Sequence, residues 1–157
     1  MPKFDNNRKT ITHIGAFYGT DHGYSAAFDL KNVVTLIIPE YVSIINKHQL
    51  FNGISLERVV FGKNVTSIYE QWVGGVFKAG VVYDFSNYSR KTPPALGTTT
   101  ALAPVSKIGS IIVPDNMVTK WKSAWNTYAS KIKGVSENGG SDTPVPCIIT
   151  NLLTNCT

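Results

Sequence analysis

Apolar and polar positions along this chain recur with a step of 23 residues. Phe28 is matched by Phe51, Leu36 by Val59, Ile38 by Phe61, Val42 by Val65 and Ile45 by Ile68, and Ser43 is matched by Thr66. LIIPEYVSII at 36–45 and VVFGKNVTSI at 59–68 both run from an apolar stretch through a turn pair to Val-x-x-Ile. The turn pairs are Pro39-Glu40 and Gly62-Lys63. Each unit reads as a short strand, a turn and a second short extended piece. One unit leaves its apolar face uncovered. A copy stacked one step along covers it, so equivalent side chains pile into ladders. The expected repeat core is Phe28, Leu36, Ile38, Val42, Ile45, Phe51, Val59, Phe61, Val65 and Ile68.

The pattern then loosens. VVYDF at 81–85 alternates as one more strand, and Gly74-Gly75 reads as a wider loop. TITHIGAFYG at 10–19 reads as a degenerate first coil with an insertion around 20–26, for about three to four coils in all. RKTPPALGTTTALAPVSK at 90–107 reads as an extended loop. A strand over 111–113 stops at Pro114, and Asp115 is placed to cap a helix with Val118, Trp121 and Ala124 or Trp125 on one face. A further helical turn over 127–132 is closed by Gly134, so that 108–134 forms a helical cap. Residues 1–134 then make one domain, VSENGGSDTP at 135–144 a flexible linker, and 145–157 a β tail. Such a tail, with Ile148, Ile149 and Leu152, needs a sheet edge, a partner chain or a further domain.

Composition sharpens this reading in a few places. A chain of 157 residues is one domain's worth and can bury a core without staples. A charged fraction of 16%, with 13 Gly and 8 Pro, favours β structure with turns over a charged helical bundle. The net charge of +5 is spread thinly, which fits a solvated face and predicts no nucleic-acid partner. Cys147 and Cys156 sit together near the C-terminus and cannot staple the body of the fold. They read as inert thiols, with a disulfide closing the short loop as the alternative. The N-terminal stretch has no apolar signal core, and no run approaches the roughly 20 apolar residues of a membrane span. No membrane insertion and no export signal of the chain's own are therefore expected.

Catalytic chemistry finds little support. His13, His22 and His48 are dispersed, so no metal site is expected. Asp29, Glu40, Glu57, Glu70 and Asp84 occur one per segment and read as solvated turn residues, not a facing carboxylate pair. No cofactor motif and no nucleophile with a base beside it appears, so no enzyme is expected. Aromatic residues are more informative. Trp121 and Trp125 are expected to pack the cap on the last coil. Tyr41, Tyr69, Trp72 and Tyr88 fall in or near turns and are the candidate interface, together with Ile148, Ile149 and Leu152 of the tail.

The phrases AAFDLKNVVTLIIP, LFNGISLERVVFGKNVTSI, VVYDFSN and IIVPDNMVTKWKSAWNTYASKI carry a resemblance. They are similar to the BspA-like, bacterial surface-antigen class of leucine-rich repeats, over roughly residues 10–134. The chain departs from that class in having few leucines, an irregular third coil and no Asn or Cys ladder. The resemblance implies a mainly β fold: a short leucine-rich-repeat solenoid with a C-terminal helical cap and a β tail. The tail CIITNLLTNCT is similar to the first strand of Ig-like domains that follow such repeats in virion and surface proteins. The class is associated with surface proteins of gut bacteria and with virion proteins of their tailed phages, and its members generally bind and do not catalyse. The expected function is a non-enzymatic virion component, a head- or tail-associated accessory, decoration or fibre protein, located in the virion. Its partners would be other virion proteins or copies of itself in a homo-oligomer. The alternative is an extracellular cell-surface adhesin domain that binds a host protein or bacterial surface glycan.

Overall fold

The computed structural model describes residues 13–14, 28–29, 34–45, 51–52, 56–69, 73–74, 78–98 and 101–138. Twelve strands are present among them. They are β1 (His13–Ile14), β2 (Phe28–Asp29), β3 (Thr35–Ile37), β4 (Ile44–Ile45), β5 (Phe51–Asn52) and β6 (Arg58–Val60). Then follow β7 (Ser67–Ile68), β8 (Val73–Gly74), β9 (Val81–Asp84), β10 (Ala95–Leu96), β11 (Ile108–Val113) and β12 (Ile132–Gly134). One α-helix, α1 (Val118–Ala124), and four short 3-10 helices complete the set.

The strands form three sheets ordered β1-β4-β7-β10, β12-β11-β9-β6-β3 and β2-β5-β8, and every pairing is parallel. Phe28 lies opposite Phe51, Leu36 opposite Val59 and Ile45 opposite Ile68, the same 23-residue step each time. Later ladders depart from that step: Val59 pairs with Tyr83, Ile68 with Leu96, and Tyr83 with Ile111. The inward row Leu36, Val59, Tyr83, Ile111, Ile132 crosses the five-stranded sheet and builds one wall of the core. Ile38, Val42, Ile45, Val59, Phe61, Val65 and Ile68 are buried, while Leu36 is half-buried against them. Beyond the strand ends, Ile38 donates to the Val60 carbonyl, Phe61 to Asp84 and Phe85 to Ile112, each at 2.8 Å. These bonds carry the ladder on into the turns, where the Phe61 and Phe85 rings stack 4.1 Å apart. Gly62 lies directly against the Pro39 carbonyl of the turn below, and a Cβ there would collide with it. Gly80 has φ +88°, which an L side chain rarely adopts.

This architecture corrects the mainly β, leucine-rich-repeat expectation. The structure is 26% helical and 29% strand, an α/β-like mixture built on parallel sheets. The reason lies in the lengths of the elements. Most strands are two to four residues long, and only β11 reaches six. The C-terminal part instead covers the sheet with α1 and 3-10 turns, and the inward positions hold Ile, Val, Phe and Tyr in place of leucine.

Three local expectations also change. The loop at 90–107 contains β10 and a 3-10 turn at Val105–Lys107, and it buries Ala101, Leu102 and Ala103. Asp115 does not cap α1, whose N-cap is Met117 without a side-chain bond. Its carboxylate instead accepts 3.0 Å bonds from the Ser136 amide and hydroxyl. Those bonds hold a 3-10 turn at Ser136–Asn138, so the start of the expected linker is structured. The tail with Ile148, Ile149 and Leu152 lies outside the described residues, as do the side chains of Phe28 and Phe51.

Candidate interaction site

The outward face of the five-stranded sheet runs in two cross-strand rows. One holds Thr35, Arg58 and Val82; the other holds Ile37, Val60 and Asp84. β3 is the outermost strand of this sheet among the described residues, and Val34 and Ile37 beside and on it are 49% and 50% exposed. Next to them opens a groove of about 470 Å³. Val34, Ala79, Gly80 and Val82 give it apolar walls, and Thr35, Glu57, Arg58 and Lys78 give it polar ones.

Arg58 is the organised feature of this groove. Its Nη2 donates to Asp84 Oδ2, while Asp84 Oδ1 accepts the Ser86 amide at 2.8 Å. Asp84 is only 4% exposed, which corrects its reading as a solvated turn residue. A carboxylate taken from water needs a partner cation and hydrogen bonds, and this one has both. Arg58 Nε is buried without a partner among the described residues. In the groove wall Lys78 pairs with Glu57, and away from the groove, between the turns after β3 and β6, Lys63 pairs with Glu40 at 2.7 Å; both pairs are exposed and hold weakly.

The expected interface residues are not brought together. Tyr41 and Tyr69 are each 40% exposed, Tyr41 in the turn after β3 and Tyr69 just after β7. Trp72, Ile148, Ile149 and Leu152 lie outside the described residues. Tyr88 is not an interface residue. It is buried, its ring packs edge-on against Phe85 and Trp121, and its hydroxyl lies 2.8 Å from the Val65 carbonyl and 2.9 Å from that of Thr92. The one phenolic proton is shared between those two acceptors.

Burial pushes the Tyr88 hydroxyl up to about 12, with the Arg90 guanidinium offsetting part of the effect. Burial also raises Tyr83, which accepts the Ala103 amide at 2.9 Å, and Tyr128. The unfolded chain ionises its tyrosines near pH 10, so above that pH the folded state binds more protons. Stability from these groups is therefore complete below about pH 10 and falls as pH rises through 12. Denaturant midpoints are expected to hold between pH 8 and 9.5 and drop between 10 and 12, in step with tyrosinate absorbance. An unchanged midpoint at pH 11.5 would sink this account.

Sequence reasoning missed Arg58, Asp84, Lys78, Val34 and Ile37. A signal for the first two exists: extending the repeat into the VVYDF coil puts Asp84 in line with Val60, one row from Arg58. Among the described residues no group of His, Cys, Asp and Glu is placed to hold a metal, and no helix is long and apolar enough to cross a membrane. Comparison with family models, curated proteins and solved structures finds no match.

Proposed function

We propose that this chain is a non-enzymatic structural and binding protein that acts through protein–protein contacts, as a component of an assembled particle such as a phage virion. The observation that carries this reading is the pair of aliphatic side chains, Val34 and Ile37, half exposed at the strand that is outermost in its parallel sheet among the described residues. Exposed aliphatic surface of this kind is what another chain needs for docking. The virion setting draws on the resemblance of 36–45 and 59–68 to BspA-like proteins. A second reading, a surface adhesin domain for a host protein or glycan, is favoured by the exposed rings of Tyr41 and Tyr69.

Light scattering on the purified chain and on a Val34→Lys/Ile37→Lys variant tests the first reading. The native chain is expected to be oligomeric and the variant monomeric. Melting should barely change, because exposed substitutions usually alter stability by less than about 0.5 kcal/mol. Equal masses for the two proteins would remove the β3 edge from the argument. A monomeric native chain that binds a glycan array would move the adhesin reading ahead.

A further inference from the structure

We propose that the capped end of the fold, residues 90–138, is a basic docking face for an acidic protein surface, separate from the β3 edge. This rests on the reading of the chain as a protein-binding module and names the chemistry of one partner. Residues 90–138 hold seven of the fifteen basic residues but only two of the ten acidic ones, Asp115 and Glu137. The rest of the chain holds eight of each, so the whole net charge of +5 belongs to this end.

The fold gathers these cations. Lys107 ends the 3-10 turn Val105–Lys107, which packs against the 3-10 segment Asn126–Lys131 that Lys131 closes. Lys120 and Lys122 lie on α1, which packs on that segment and on β12, the strand of Lys133. Arg90 and Lys91 are strapped to α1 from both sides. The Tyr88 ring lies 5.3 Å from Trp121, and the Pro94 carbonyl accepts Trp125 Nε1 at 2.9 Å. Lys107 and Lys131 are half-buried and the other cations of this end are exposed. In the coils Arg58, Lys63 and Lys78 each pair with an acid, whereas no cation of the capped end forms an ion pair among the described residues. Asp115 is taken up by the Ser136 amide and hydroxyl. Cations left without counter-charges add into a common positive field, which steers and holds an opposite surface.

The chemistry of the face narrows the partner. Tyr88, Trp121, Trp125 and Tyr128 are buried, so bases and sugar rings find none of these aromatics to stack on. All but Arg90 of the cations are lysine, point charges without the planar fork that grips a phosphate in two places. Such charges suit the scattered carboxylates of an acidic protein. A second copy does not fit, because two such ends repel and the remainder of the chain has no net negative charge to meet them. The face is also remote from Val34 and Ile37. β12 and β3 are the opposite edges of the described five-stranded sheet, four strand spacings or roughly 19 Å apart.

Fluorescence anisotropy on the full chain tests the face, with labelled poly-L-glutamate and a labelled DNA duplex as probes. Poly-L-glutamate is expected to bind at about 20 mM salt and to weaken steeply by about 150 mM. Lys120→Glu/Lys122→Glu, at exposed positions of α1, should weaken it about tenfold or more. Lys63→Glu/Lys78→Glu changes the net charge equally but in the coils, and should cost less than about threefold. An equal loss from both variants means that net charge alone drives binding, and overturns the face. Tighter binding of the duplex than of poly-L-glutamate at the same salt overturns the protein partner in favour of nucleic acid. No binding of poly-L-glutamate at low salt overturns the inference outright. Light scattering separates this face from the β3 edge, since Lys120→Glu/Lys122→Glu should keep the native mass. If Val34→Lys/Ile37→Lys also keeps that mass while the native chain holds poly-L-glutamate, the β3 reading fails and the basic face stands. If that variant turns monomeric and poly-L-glutamate is not held, the basic face fails and the β3 reading stands.

Discussion

Replacing Trp121 by alanine is expected to cost about 3–5 kcal/mol, a large share of the roughly 5–15 kcal/mol that is typical of a whole domain. Trp121 is fully buried. Its ring lies 4.8 Å from Phe85, 5.3 Å from Tyr88 and 4.6 Å from Trp125, so it joins α1 to the last turns of the stacked sheets. Alanine leaves a void lined by three aromatic rings, which cannot collapse to fill it. Trp121→Phe should be far milder, about 1–2 kcal/mol, because the indole Nε1 has no hydrogen-bond partner to lose among the described residues. Trp125→Phe removes a real bond, the 2.9 Å donation from Nε1 to the Pro94 carbonyl, and should cost more than Trp121→Phe. Urea unfolding of the three variants checks the order. If Trp121→Phe proves as damaging as Trp121→Ala, the account of the cluster is wrong.

Arg58→Ala is expected to destabilise the chain by about 3 kcal/mol, because Asp84 then remains buried without its counter-charge. This is at the low end for buried pairs, since the Arg58 side chain is 24% exposed and partly screened by water. Asp84→Asn should cost less, because the amide keeps a carbonyl for the Ser86 amide and leaves an arginine that can reach solvent. The double replacement Arg58→Met/Asp84→Leu should recover most of the loss, because no charge is then left buried. A double-mutant cycle in urea reads the coupling directly. If Arg58→Ala costs under 1 kcal/mol, the pair is not holding the sheet.

The ladders were legible in the sequence because stacking repeats itself. Each coil must present its apolar side chains to the coil beside it, so Leu36 and Val59, or Ile45 and Ile68, carry the same kind of residue at the same step. The aromatic cap was legible too, since Trp121 and Trp125 are four apart, one on α1 and one at its C-terminal cap, and both are buried. The candidate site was much less so. Arg58 and Asp84 look like ordinary polar residues in a strand and a turn, and only the register of β6 against β9 makes them partners. Tyr88 was misread for the opposite reason. It lies in a polar, turn-rich stretch, but the chain folds that stretch over the core, where Val65 and Thr92 take its hydroxyl.

By itself, then, the sequence determined which residues pair across the first coils, because apolar periodicity is a local record of what each coil must bury. It did not determine the fold class or the groove. Short strands leave their helical connections free to supply as much structure as the sheets, and that balance depends on how the C-terminal segment packs back onto β11. Insertions shift the later ladders off the 23-residue step, so Asp84 comes beneath Arg58 only once the third coil has taken its place. Desolvation of that carboxylate is a property of the stacked coils, and no pattern within one coil encodes it.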